Sequence, residues 1–207
     1  MKKAIVALAM FLIASVSGFF LFFPGDLFLE NLALKNGAKV EKVDGNGFSV
    51  SVEGLSFEGF TLSPFSIANL LYKVAVDFGG DGRLLYYLLN DEVLLNLKGV
   101  NFQFNKKTVQ GAGKLYAKGK LYAKNFTGKL KGKVFFPEIS YMGMKLKNIN
   151  GEFNYRDGDV TVNVKSELFS GILKGKLKSV AGKLEFRGVF SGSIAGNRVK
   201  ERLFFRI

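Results

Sequence analysis

Lys114-Leu115-Tyr116-Ala117-Lys118-Gly119-Lys120-Leu121-Tyr122-Ala123-Lys124 is the stretch that decides the fold class of this chain. In strand geometry Leu115, Ala117, Gly119, Leu121 and Ala123 line one face, while Lys114, Tyr116, Lys118, Lys120, Tyr122 and Lys124 line the other. The echo of Lys-Leu-Tyr-Ala-Lys is too short for a solenoid repeat and instead marks a long, smooth strand. After Asn125 the parity flips, so Lys129, Lys131 and Lys133 oppose Leu130, Gly132 and Val134. Between Val93 and Pro137 stand ten lysines and no acid.

Moving outward, the same period of two recurs. Phe48, Val50 and Val52 share a face; Gly54 breaks the parity and Leu55 and Phe57 resume it. Val100, Phe102 and Phe104 form another set, then Val160, Val162 and Val164, then Leu184, Phe186 and Phe190. Alternation of this length implies half-buried antiparallel strands with one wet face. Turn signals separate them at Asp44-Gly45-Asn46-Gly47, Gly79-Gly80-Asp81-Gly82, Asp157-Gly158 and Ala181-Gly182. Glycine weakens a strand, so its recurrence at inward positions implies a strongly bent sheet or a groove floor. Two short helices are expected. One covers Asp26 to Asn36, with Asp26 in its first turn and Gly37 as a left-handed stop. The other covers Gly82 to Asn90, on Leu84, Leu85, Leu88 and Leu89.

The remaining composition narrows the chemistry. The chain has 207 residues, a net charge of +13, and neither His, Cys nor Trp. Disulfides, Cys/His zinc sites, thiol nucleophiles and His-dependent triads are therefore excluded. Carboxylate pairs are the acid/base option left, and Asp91-Glu92 and Asp157 with Asp159 are the nearest candidates. Asp157-Gly158-Asp159 has the composition of a hairpin turn, and the Asp91 and Glu92 side chains would diverge in a strand. No catalytic residue, metal site or cofactor is expected. Charge is uneven: from Pro24 to Glu92 ten acids face five bases, whereas Val93 to Ile207 carries seven acids and 23 bases.

Ala4 to Phe23 is free of charge and follows Lys2 and Lys3. As a helix it would span roughly 30 Å, the thickness of a bilayer core. The lysines place its start in the cytoplasm and the rest across the inner membrane, in a bacterial periplasm. A cleaved signal peptide, with Val16-Ser17-Gly18 as its site, is the alternative; the apolar run continuing through Phe23 argues for an anchor. The chain thus divides into residues 1–23 (cytoplasmic start and anchor), 24–37 (short amphipathic helix and linker) and 38–207 (periplasmic β domain).

The order anchor, Phe22-Phe23-Pro24, Gly37-Ala38-Lys39-Val40 and Val43-Asp44-Gly45-Asn46 resembles the type II secretion system protein N family, within the wider AsmA-like group of periplasmic β proteins. Asn148-Ile149-Asn150-Gly151-Glu152-Phe153-Asn154-Tyr155 and Leu168-Phe169-Ser170-Gly171-Ile172-Leu173-Lys174-Gly175-Lys176-Leu177 strengthen the likeness. The resemblance implies a mainly β fold, a single curved, mostly antiparallel gutter-like sheet behind the membrane helix. It also implies an accessory role in secretion or envelope assembly, exercised by binding, and supplies no catalytic position.

Two surfaces are candidates for that binding. Lys114, Lys118, Lys120, Lys124, Lys129, Lys131 and Lys133 form a basic docking face for envelope or secretion-system proteins or anionic membrane surfaces. The bland reading is that alternating Lys solvates a sheet face and blunts edge-to-edge pairing. An exported protein rarely meets nucleic acid, and the shortage of Arg argues against that partner. Leu115, Leu121, Val160, Val162, Val164, Leu184 and Phe186 form a candidate apolar groove for lipid acyl chains moving between inner and outer membrane.

Overall fold

A computed structural model describes residues 24–206 except 36, 58, 71, 107, 142, 181 and 182. The expected anchor and the Ala181-Gly182 turn lie outside the described residues. Among those described, no helix is long and apolar enough to cross a membrane. Helix α1 (Gly25–Lys35) follows Pro24, whose carbonyl accepts from the Phe28 N–H at 3.0 Å. Asp26 sits inside the first turn and Lys35 in the last, each complementing the helix dipole. Gly37 closes the helix as expected, with φ +75° and its N–H donating to the Leu34 carbonyl.

The remainder is strand: β1 (Ala38–Lys39), β2 (Lys42–Gly45), β3 (Ser49–Glu53), β4 (Ser56–Phe57), β5 (Phe60–Leu62), β6 (Phe65–Asn69), β7 (Lys73–Asp77), β8 (Gly82–Tyr87), β9 (Glu92–Lys106), β10 (Val109–Tyr122), β11 (Thr127–Tyr141), β12 (Met144–Arg156), β13 (Asp159–Lys165), β14 (Phe169–Val180), β15 (Lys183–Ile194) and β16 (Asn197–Arg206). They make one curved, open, antiparallel sheet, ordered β16-β15-β14-β13-β12-β11-β10-β9-β8-β7-β6-β3-β2. From β6 onward each strand pairs with the next in sequence. The sheet forks at β9, where β8 pairs with Glu92 to Leu97 and β5 with Phe102 to Phe104 along the same side. Helix α1 lies against β1, β2 and β3 at one end.

Turn chemistry sets the register. Asp157 and Gly158 (φ 50° and 96°) join the Arg156–Asp159 pair, and Ala195 and Gly196 (φ 48° and 84°) join Ile194–Asn197. Two consecutive positive φ angles are what a twisted two-residue hairpin requires. Gly99, at φ +120°, is one extra residue in β9, because Leu115 opposes Val100 while Tyr116 opposes Lys98. That bulge flips the parity, so Val93, Leu95 and Leu97 share a face with Val100, Phe102 and Phe104.

One expectation needs correction. Gly82 to Asn90 is not a helix: Gly82–Tyr87 is strand β8, and Leu88 to Asn90 belong to the turn into β9. Leu84 and Tyr86 point to the apolar face, while Leu85 lies on the other, in a row with Ala75 and Leu94. Apolar residues on both sides erase the period of two and mimic helical spacing. The glycines accompany the curved sheet expected of them, and several are covered by rings. A Cβ on Gly132 would meet the Phe153 ring at 2.3 Å, one on Gly171 the Phe190 ring at 2.4 Å, and one on Gly175 the Phe186 ring at 2.5 Å. Rings lie across glycines on neighbouring strands, restoring the packing that glycine forgoes.

Buried apolar side chains among the described residues are few: Val50, Val52, Ala75, Val100, Ala117, Ile149 and Tyr155. All but Ala75 lie on the apolar face, and each strand packs against its neighbours in the ladder, with no second sheet layered over it among the described residues.

Candidate functional site

The sheet presents two contrasting faces. On the polar one, Lys118 directly opposes Lys131, and Lys120 opposes Lys129, which in turn opposes Arg156. Directly opposed residues have Cα atoms only about 4.5–5.5 Å apart, and like charges so placed repel. Lys120 is relieved by Glu92 at 2.6 Å, and Lys133 by Glu152 at 2.8 Å. The hydrogen bond to Glu92 raises the Lys120 pKa, and that to Glu152 raises the Lys133 pKa. Lys118, Lys129 and Lys131 have no carboxylate within ion-pair distance among the described residues. Lys114 shares the face, opposite Asn101 and Phe135, whereas Lys124 belongs to the β10–β11 turn and is set apart from the others.

A groove of about 810 Å³ opens on this face across β9 to β13. Its walls combine cations (Lys98, Lys118, Lys131), the Lys133–Glu152 ion pair, the Tyr116 ring and the amides of Asn154 and Asn163. Of these, the sequence singled out Lys118, Lys131 and Lys133 as site residues. The signal for the rest was present, because Asn154 and Asn163 occupy wet positions of alternating strands, but their convergence depends on register across five strands.

The carboxylate pairs are not brought together for catalysis. Asp91 occupies a turn at φ 54° and accepts a hydrogen bond from the Tyr86 hydroxyl at 2.7 Å, which raises the phenol's pKa. Glu92 turns to Lys120. Asp157 lies in its hairpin and accepts from the Gly128 N–H at 2.8 Å; Asp159 faces Lys176 at 3.5 Å. Among the described residues no group of three or more Asp or Glu could hold a metal ion.

On the opposite face, Leu115, Leu121, Val160, Val162, Val164 and Phe186 fall into one continuous surface, and Leu184, paired with Ser179, takes the same register row. By register, the described residues from Val93 to Ile194 contribute one charged residue to it, Lys106, which opposes Val109 at the end of β9. The Tyr155 hydroxyl there donates to the Phe126 carbonyl, and burial pushes the phenol's pKa up. The first acid on this surface is Glu201 in β16, opposite Phe190.

Compared with models of known protein families, with curated proteins and with solved structures, the chain matches none.

Proposed function

We propose that this chain is a membrane-tethered, periplasmic envelope protein that acts by binding, with the apolar sheet face receiving lipid acyl chains. The carrying observation is that face itself: an apolar surface running through β9 to β15, whose one charge by register is Lys106 at the end of β9, with no second sheet over it among the described residues. At about 4.8 Å per strand, the thirteen-strand path measures roughly 58 Å. Hydrocarbon suits it better than a protein partner does. Protein interfaces carry about one hydrogen bond per 100–200 Å², and this face offers almost nothing to bond. The tether reading draws further support from α1, whose Leu29 and Ala33 are half-buried while Leu27, Phe28, Leu32 and Leu34 are exposed.

A docking accessory of a secretion system, as the family resemblance implies, is the second reading, and the cationic polar face supports it. Native mass spectrometry after gentle detergent extraction separates the two. Bound phospholipid, lost in a folded Val162→Glu variant, is the expected result. A lipid-free chain whose apolar face is covered by a second copy or another envelope protein would overturn the acyl-chain reading.

A further inference from the structure

We propose that the polar-face groove is a binding site for a phosphorylated saccharide of about disaccharide size, independent of the apolar face behind it. Lys118 and Lys131 are directly opposed, and among the described residues neither has a carboxylate within ion-pair distance, the groove's Glu152 being held by Lys133; like charges in that relation destabilise a sheet. Guarding an edge cannot explain them, since β10 has six strands on either side. Solubility does not require them either, because β12 and β13 keep the same face wet with Asn154, Thr161 and Asn163. An anion between the two ammonium groups turns the repulsion into attraction, and lysine binds phosphate well as a point charge.

The rest of the groove specifies more than an anion. The Tyr116 ring is 41% exposed and lines it, giving a flat surface for the C–H face of a sugar ring. Asn154 and Asn163 supply donors and acceptors of the kind that hydroxyls pair with. Lys98, on β9 directly opposite Tyr116, adds a third cation at the rim. The volume of about 810 Å³ lies within the usual range of small-molecule sites.

The test is isothermal titration of the full chain in non-ionic detergent with trehalose 6-phosphate, trehalose, inorganic phosphate and anionic phospholipid vesicles. The expected result is 1:1 binding of trehalose 6-phosphate, at least about tenfold weaker binding of trehalose and of inorganic phosphate, and weakening with salt. Lys118→Gln/Lys131→Gln is expected to weaken binding about tenfold or more, and Tyr116→Ala several-fold. Lys145→Gln/Lys147→Gln, on the same face but outside the groove, is expected to bind normally. Because the first pair removes a repulsion, its melting temperature is expected to hold or rise. Absence of trehalose 6-phosphate binding, equal binding of inorganic phosphate, vesicle binding alone, or indifference to Lys118→Gln/Lys131→Gln each overturns the proposal.

Discussion

Gly171→Ala probes the ring-over-glycine packing directly. An added Cβ would lie 2.4 Å from Phe190 Cζ, 2.6 Å from its Cε2 and 3.0 Å from the Ser191 carbonyl oxygen. The ring cannot stay, and its displacement opens the apolar face around Leu173. Overpacking of this kind costs about 1–3 kcal/mol, offset by about 0.4–1 kcal/mol because alanine restricts the unfolded chain. The net loss is about 1–2 kcal/mol, which for a chain of this size lowers the melting temperature by about 2–8 °C. Thermal unfolding followed by circular dichroism in detergent measures it. Phe190→Leu removes the obstructing ring atoms, so in that background Gly171→Ala is expected to be near neutral, a coupling of about 1 kcal/mol. If Gly171→Ala melts within about 1 °C of the parent, or if the two changes simply add, the packing argument is wrong.

Gly99→Ala puts a side chain at φ +120° in the β9 bulge and is expected to cost roughly 1–3 kcal/mol, read as a lower melting temperature; an unchanged melt would show that the bulge relaxes. Tyr155 has a folded pKa raised by burial, so its stabilisation is complete below the ordinary phenol value near pH ~10 and is lost as pH climbs through the higher folded value. Tyr155→Phe is expected to flatten that alkaline slope while losing about 1 kcal/mol at neutral pH with the bond to Phe126; an identical slope would refute it. Glu201→Val makes the apolar face of the terminal strand uniform, and light scattering is expected to show increased self-association. A monodisperse variant would mean that Glu201 does not guard that edge.

Much of the sheet was legible because one face is wet and the other dry. β3, β9, β10, β13 and β15 each announce themselves by period two, and the parity flip after Asn125 coincides with the β10–β11 turn. Legibility failed where that contrast fails. β8 carries Leu84 and Leu85 on opposite faces, both against apolar neighbours, and so reads as a helix. The fork at β9 was hidden for another reason: it depends on β5 and β8 choosing halves of one strand, a long-range pairing that no local signal encodes. The lysines of the groove were visible individually, but Lys118 and Lys131 became a pair only when the register placed them opposite each other. The curvature that the glycines suggested is present, but the phenylalanines that cover them arrive from neighbouring strands and so were not legible.

From β6 to β16 the order in space repeats the order along the chain, and this has a consequence for how such a molecule changes size. A new hairpin slipped into any of these turns would keep every flanking strand in its direction and every oily residue on its side. The sheet can therefore lengthen or shorten like an accordion, in steps of two pleats, without rebuilding what is already there. A polypeptide threaded outward from its first residue can also lay each strand on the one before it, so that assembly keeps pace with delivery.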